Sequence, residues 1–173
     1  DLEKFFDRVN FDVLLSRVRK RVPDGRMVRL IHQFLKAGVF TLEGVVEATL
    51  EGTSQGSPLS PLLANLLLDD LDKELERRGH RFVRYADDAN IYVRSARAGE
   101  RVKASVTRYL ESRLKLKVNQ AKSAVDRPCN RKFLGFTFTG GRIRRRKVSA
   151  KAIAAFRAKV RRLTRRTRGR TIY

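Results

Sequence analysis

The stretch Arg84-Tyr85-Ala86-Asp87-Asp88-Ala89-Asn90 constrains this chain more than any other. Two short β-prone runs flank it, Arg81-Phe82-Val83-Arg84-Tyr85 and Asn90-Ile91-Tyr92-Val93. The pattern predicts a hairpin with Asp87 and Asp88 at its tip. Asp is an ordinary turn residue, so taken alone the pair reads as a turn whose acids face water. Adjacent like charges repel, and a partly buried pair is tolerated only if something cationic neutralises it. A divalent metal is the natural neutraliser, because hard cations take carboxylate oxygens.

The surroundings of those acids are strongly basic. The formal net charge is +22, too large for a mixed solubilising surface, and it implies a polyanionic partner, most simply nucleic acid. The imbalance is graded along the chain. No Asp or Glu follows Asp126, whereas Arg142, Arg144, Arg145, Arg146, Lys147, Arg161, Arg162, Arg165, Arg166, Arg168 and Arg170 crowd the last third. A body with mixed charge followed by a segment that grips phosphate backbones fits this gradient. No basic amphipathic helix with an aromatic apolar face is evident, and no apolar run reaches membrane-span length, so no membrane partner is expected. The single cysteine, Cys129, excludes an internal disulfide and a Cys-rich zinc site. A reduced, cytoplasmic setting is expected.

At 173 residues, one domain with a small appendage is expected. Asn10 or Asp12 caps a helix through Val13, Leu14 and Val18, which Pro23-Asp24-Gly25 breaks. A second helix carries Val28, Leu30, Ile31, Phe34 and Leu35 to Gly38, and residues 39–50 read as a hairpin or loop. Thr53 to Pro61 is a shaped loop, with Ser60 capping a helix from Pro61 to Arg78. After the Asp-Asp hairpin, a helix spans Gly99 to Lys115. A strand, Lys132 to Phe138, turns at Gly140-Gly141. A basic helix, Ala150 to about Arg166, carries Ile153, Phe156, Val160 and Leu163 as its apolar stripe. The order predicts an α+β fold, an antiparallel sheet with helices packed on one face.

Three acids are candidates for metal work. If the first residues pair with the hairpin, Asp1 joins Asp87 and Asp88, and two divalent ions about 3.5–4 Å apart could be clamped. The bland reading of Asp1 is a frayed terminal residue. The loop around Gln55 lacks the endings of a phosphate-binding or dinucleotide loop. It reads as a capped helix entrance, or as a surface against a nucleotide on which Gln55 both donates and accepts. Lys122 reads first as a solvated, phosphate-gripping lysine. Phe133-Leu134-Gly135-Phe136 reads first as core. His32 and His80 lack metal-ligand spacing.

Taken together, these stretches resemble the ordered motifs of reverse transcriptases, with the flavour of bacterial group II intron-encoded reverse transcriptases/maturases. Tyr85-Ala86-Asp87-Asp88 looks like the family's signature hairpin. The segment from Asp1 through Phe6 to Asn10 looks like the first metal-binding motif, and Gln55-Gly56-Ser57-Pro58-Leu59-Ser60-Pro61 like the motif lining nucleotide and template. Leu116 through Lys122-Ser123, then Phe133 to Phe136, follow in the family's order. The resemblance implies a polymerase palm over residues 1–147 followed by the start of a thumb over 148–173. It implies metal-binding carboxylates at Asp1, Asp87 and Asp88 for two Mg²⁺ ions, with Mn²⁺ as a substitute. Lys122 would be a catalytic proton donor to pyrophosphate. Phe6, Gln55 and Gly56 would be nucleotide contacts, with Phe6 under the incoming sugar, and Phe133, Leu134 and Gly135 the primer grip. Arg144, Arg145, Arg146, Arg161, Arg162 and Arg165 would hold the nucleic-acid backbone. The implied partners are an RNA template, a DNA primer, intron RNA and deoxynucleoside triphosphates in a bacterial cytoplasm.

The sequence departs from the family pattern at Ser54, usually Pro, at Ser57, usually Gly, and at Phe11, where His is common. The start at Asp1 reads as a fragment from which the family's preceding triphosphate-gripping fingers are missing. The leading expectation is therefore an RNA-directed DNA polymerase palm. The alternatives are a non-polymerising, maturase-like module that binds intron RNA, and a non-catalytic remnant.

Overall fold

Asn10 starts the helical part of the fold. Its side-chain oxygen accepts from the Val13 N–H at 3.0 Å, which satisfies one of the donors that a helix start leaves without a partner. Helix α1 follows over Phe11–Arg21. Phe11, at a position the family often fills with His, is the first helical residue and is buried. Asp24 repeats the device by accepting from the Arg26 N–H at 2.8 Å, and α2 runs over Gly25–Lys36. Val28 and Leu35 of α2 are buried, whereas Leu30 faces outward at 59% exposure, against the expected inward stripe.

In this computed structural model, residues 1–37, 39–40, 46–47, 51–53, 57–141, 143 and 145–165 are described, 39–40 and 46–47 by backbone only. A short ladder joins β1, Val39–Phe40, to β2, Val46–Glu47. Helix α3 spans Leu59–Arg77. Its start differs from expectation. Ser60 does not cap; it lies inside the first turn, buried. The cap position is Pro58, without a side-chain cap bond, and just ahead of it the Ser57 hydroxyl accepts from the Leu59 N–H at 3.2 Å. The hydroxyl that departs from the family's usual Gly therefore has a structural use.

Leu63, Leu67, Leu68, Leu71 and Leu75 of α3 recur at helical spacing and are buried. Burying each such side chain contributes roughly 1.5–3 kcal/mol. They form one core with α1, with Val28 and Leu35, with Leu2, Phe5 and Val9, and with Leu110, Leu114 and Leu116. Helix α1 lies against both α2 and α3, and β3, Arg81–Tyr85, lies on α3. Strand β4, Asp88–Tyr92, returns antiparallel. Helix α4 begins at Ala96 rather than Gly99, because Ser95 accepts from the Ala98 N–H, and runs to Tyr109. A π-helical turn, Leu110–Leu114, closes on Lys115 with φ +58°.

These elements belong to the first of two compact units, Asp1–Val125; the second is Asp126–Tyr173. In the second, β5, Phe136–Phe138, pairs antiparallel with β6, Arg146–Val148, and α5 spans Ala150–Leu163. The expected strand from Lys132 starts only at Phe136. Leu134 at φ +50° and Gly135 at φ +80° form a tight turn ahead of it, one that an alternating apolar pattern conceals. The Ser149 N–H donates to the Gly135 carbonyl at 2.8 Å, tying this turn to the start of α5. The Phe133–Phe136 turn and the basic helix thus lie in the same compact unit. The expected stripe of α5 is exposed rather than inward, Phe156 at 68% and Leu163 at 60%.

The fold is α+β. The single expected sheet is instead three two-stranded antiparallel ladders among the described residues. Each ladder is closed by its own connection. The long-range pairing expected between the first residues and the Asp-Asp hairpin is made elsewhere, as a bridge from Leu2 to Val118.

Candidate functional site

The β3–β4 ladder pairs Arg84 with Ala89 and Tyr85 with Asp88, so Ala86 and Asp87 are the two turn residues. Ala86 has φ +52°, and it alone of the two is positive, the pattern of a type II′ turn. Glycine is the usual occupant of that position, so an alanine there carries strain.

What holds the strained tip is Arg84. Its guanidinium is largely buried, and its Nε donates to Asp72 Oδ1 at 2.8 Å. A second nitrogen reaches Asp72 Oδ2 at 2.5 Å, and the third donates to Asn65 Oδ1 and to the Ala86 carbonyl, each at 2.9 Å. Asn65 and Asp72 are seven residues apart on α3, two turns along one face. The fork geometry of Arg therefore staples the hairpin tip to the helix beneath it. This staple is a functional element that motif reading passed over. Arg84 lies in the motif, but its partners lie on another element and are legible only by contact.

Asp87 and Asp88 are half-buried. Among the described residues neither carboxylate has a hydrogen-bond or ion-pair partner, since Arg84 is engaged by Asp72. In donor type the pair suits a hard divalent cation. Among the described residues no three of His, Cys, Asp and Glu are grouped to hold a metal ion. Asp1 has its backbone and side-chain contacts with the 117–123 segment. The Asn119 N–H donates to the Asp1 carbonyl at 3.1 Å, and the Glu3 N–H to the Lys117 carbonyl at 2.9 Å. Lys122 Nζ lies 3.4 Å from Asp1 Oδ2. The structure thus brings together two of the sequence-predicted residues, Asp1 and Lys122.

Phe6 lies in a one-turn 3₁₀ helix, Phe5–Asp7, its ring edge-on to buried Phe5 with centroids 5.2 Å apart. The 51–53 segment supports this turn. Gly52 N–H donates to the Val9 carbonyl at 2.8 Å and Thr53 N–H to the Phe6 carbonyl at 2.6 Å. Gln55, Gly56 and Arg144 lie outside the described residues. Phe133 and Phe136 exchange both backbone hydrogen bonds, at 2.8 and 2.9 Å, around exposed Leu134 and Gly135. Arg145 and Arg146 are exposed at the β5–β6 end, as are Arg161, Arg162 and Arg165 in and after the last turn of α5. No helix among the described residues is long and apolar enough to cross a membrane.

The chain is similar to several known proteins. The chain is 28% identical to protein YkfC of Escherichia coli over 85% of its own length and 46% of that protein. It is 40% identical to the group II intron-encoded protein LtrA of Lactococcus lactis over 42% of its length and 12% of LtrA. It is 39% identical to the retron Mx65 reverse transcriptase of Myxococcus xanthus over 73% of its length and 32% of that enzyme. It spans less than half of each relative. The family model for reverse transcriptase (RNA-dependent DNA polymerase) matches residues 1–138, most of the chain. By that match, and by similarity that extends to a group II intron-encoded protein, this chain belongs to the reverse transcriptase family.

Proposed function

We propose that this chain is the palm-bearing part of an RNA-directed DNA polymerase of group II intron type, extending a DNA primer on an RNA template with deoxynucleoside triphosphates. The observation that carries the reading is the Asp87-Asp88 pair. It is half-buried and without a protein cation among the described residues, at the tip of a hairpin clamped by Arg84 in a chain of net charge +22. A Mg²⁺ or Mn²⁺ ion at such a pair supplies a lowered pKa for an attacking hydroxyl and neutralises phosphate charge. Asp87 and Asp88 would hold it, and Asp1 would complete a two-ion set. Lys122 would neutralise charge on a departing pyrophosphate. Phe6 would meet the sugar of the incoming nucleotide, and the exposed cations of 145–165 the duplex backbone.

The test is primer extension on an RNA template with Mg²⁺, using the full-length protein, this chain, and Asp87→Ala in each. Extension by the full-length protein that Asp87→Ala abolishes is expected. Equal extension with Asp87→Ala would overturn the assignment. The second reading, an RNA-binding splicing module, is favoured by the similarity to LtrA and by the exposed basic surface of the second unit. It wins if the full-length protein binds intron RNA tightly and never extends a primer.

A further inference from the structure

A hollow of about 540 Å³ lies between the end of α1, the 22–24 connection and α2. Arg19, Arg29 and His32 line it together with Val22, Pro23, Gly25 and buried Val28. None of these residues belongs to the machinery assigned above. On α1, Arg17 and Arg21 are four residues apart and share the face turned to α3, where they pair with Asp70 at 2.6 Å and Asp69 at 2.7 Å. Arg19 sits between them in sequence and so points to another face. On α2, Arg29 and His32 are three apart and share a face.

Among the described residues Arg19, Arg29 and His32 have no ion-pair or hydrogen-bond partner. The acids on α1, α2 and their connection are Asp12, in the first turn of α1, and Asp24, whose Oδ1 accepts from the Arg26 N–H to cap α2. The cations on the α3 side of α1 are neutralised within the fold. Those around the hollow have no such partner among the described residues, although the Asp24 carboxylate lies in the connection beside them, so the hollow keeps donors that an anion from outside would accept from.

We propose that this hollow is a phosphate-binding site for RNA, separate from the Asp87-Asp88 hairpin. Two guanidinium groups and an imidazole present planar donor arrays suited to phosphodiester oxygens. The hollow is partly open to solvent, which admits a backbone segment that continues beyond it. The site goes beyond the polymerase reading, because it concerns where RNA is held and requires no nucleotide addition.

The experiment measures binding of a fluorescent RNA hairpin to the full chain across about 50–200 mM salt. The variants are Arg19→Gln/Arg29→Gln, His32→Gln, and, as a control of equal charge, Arg94→Gln/Arg101→Gln, at exposed positions outside the hollow. Arg19→Gln/Arg29→Gln is expected to weaken binding about tenfold and to lower the salt slope by roughly 2, with Arg19→Lys/Arg29→Lys restoring the slope. His32→Gln is expected to weaken binding severalfold without changing the slope. Unchanged thermal melting would show that the variants fold. Equal losses from the control pair would overturn the proposal in favour of diffuse charge. Unchanged RNA binding with reduced binding of polyglutamate would overturn it in favour of an acidic protein partner.

Discussion

Arg84 of the hairpin and Asp72 of α3 form a forked contact in which both carboxylate oxygens are engaged, Oδ1 at 2.8 Å and Oδ2 at 2.5 Å. The same guanidinium holds the Ala86 carbonyl. Arg84→Ala would leave Asp72 and Asn65 facing a partly buried gap and is expected to cost about 2 kcal/mol in urea unfolding. Arg84→Lys keeps the charge but loses the fork. It should cost about 1 kcal/mol, and primer extension should fall more than stability does, because the tip is no longer held. A double-mutant cycle with Asp72→Ala checks the coupling; additive effects would show that the two residues do not act together.

Gly52 is a second dependence between distant segments. Its φ is +95°, and a Cβ there would lie 2.9 Å from the backbone oxygens of both Phe6 and Asp7. Backbone cannot move aside as a flexible side chain can, so Gly52→Ala is expected to destabilise by about 1–3 kcal/mol. Its neighbour behaves oppositely. The Thr53 hydroxyl is buried without a hydrogen-bond partner among the described residues, so Thr53→Val should be neutral or stabilising by up to about 1 kcal/mol. Chemical denaturation of both variants checks the pair of signs. Equal destabilisation by the two would refute the orphaned hydroxyl.

Acid sensitivity should have a nameable contributor in Glu74. Hydrogen bonds from Arg77 and then Arg78 lower its pKa from an ordinary 4.5 to about 2. Arg78 also donates to Ser105 at 2.7 Å, joining α3 to α4. A depressed folded-state pKa means that the unfolded chain takes up the proton first. The contribution is therefore fully present above about pH 4.5 and is lost as pH falls towards about 2. Glu74→Gln should flatten the fall of Tm across that window while lowering Tm at neutral pH. High salt should shrink the difference, since the pairs lie at the surface.

What the sequence disclosed and what it hid divide along the range of the interaction. The Asp-Asp hairpin was legible because its strands and turn are contiguous, and α1 because Asn10 and Val13 are neighbours. Ser60 reads as a cap by residue type, but Ser57, three residues earlier, offers the same chemistry, and only the geometry shows Ser57 accepting from the Leu59 N–H. The Leu134-Gly135 turn was hidden inside an alternating run. The bridge from Leu2 to Val118 and the staple from Arg84 to Asp72 join distant parts of the chain, and no local pattern encodes them. The α5 stripe was legible as a pattern, but a pattern does not state what covers it.

The last prediction concerns the turn itself. Ala86 holds φ +52° where a type II′ turn favours glycine. A left-handed alanine costs roughly 1–2 kcal/mol, and glycine removes that cost while giving back part of it as unfolded-chain entropy. Ala86→Gly should therefore stabilise the chain by up to about 1 kcal/mol in urea unfolding. Function should move the other way. Glycine widens the conformations open to the residue next to Asp87, so the carboxylate pair is held less rigidly and primer extension by the full-length protein should fall. A gain in stability with reduced extension would identify Ala86 as strain retained for the site. A loss of stability would show that the left-handed turn is not the one the folded protein adopts.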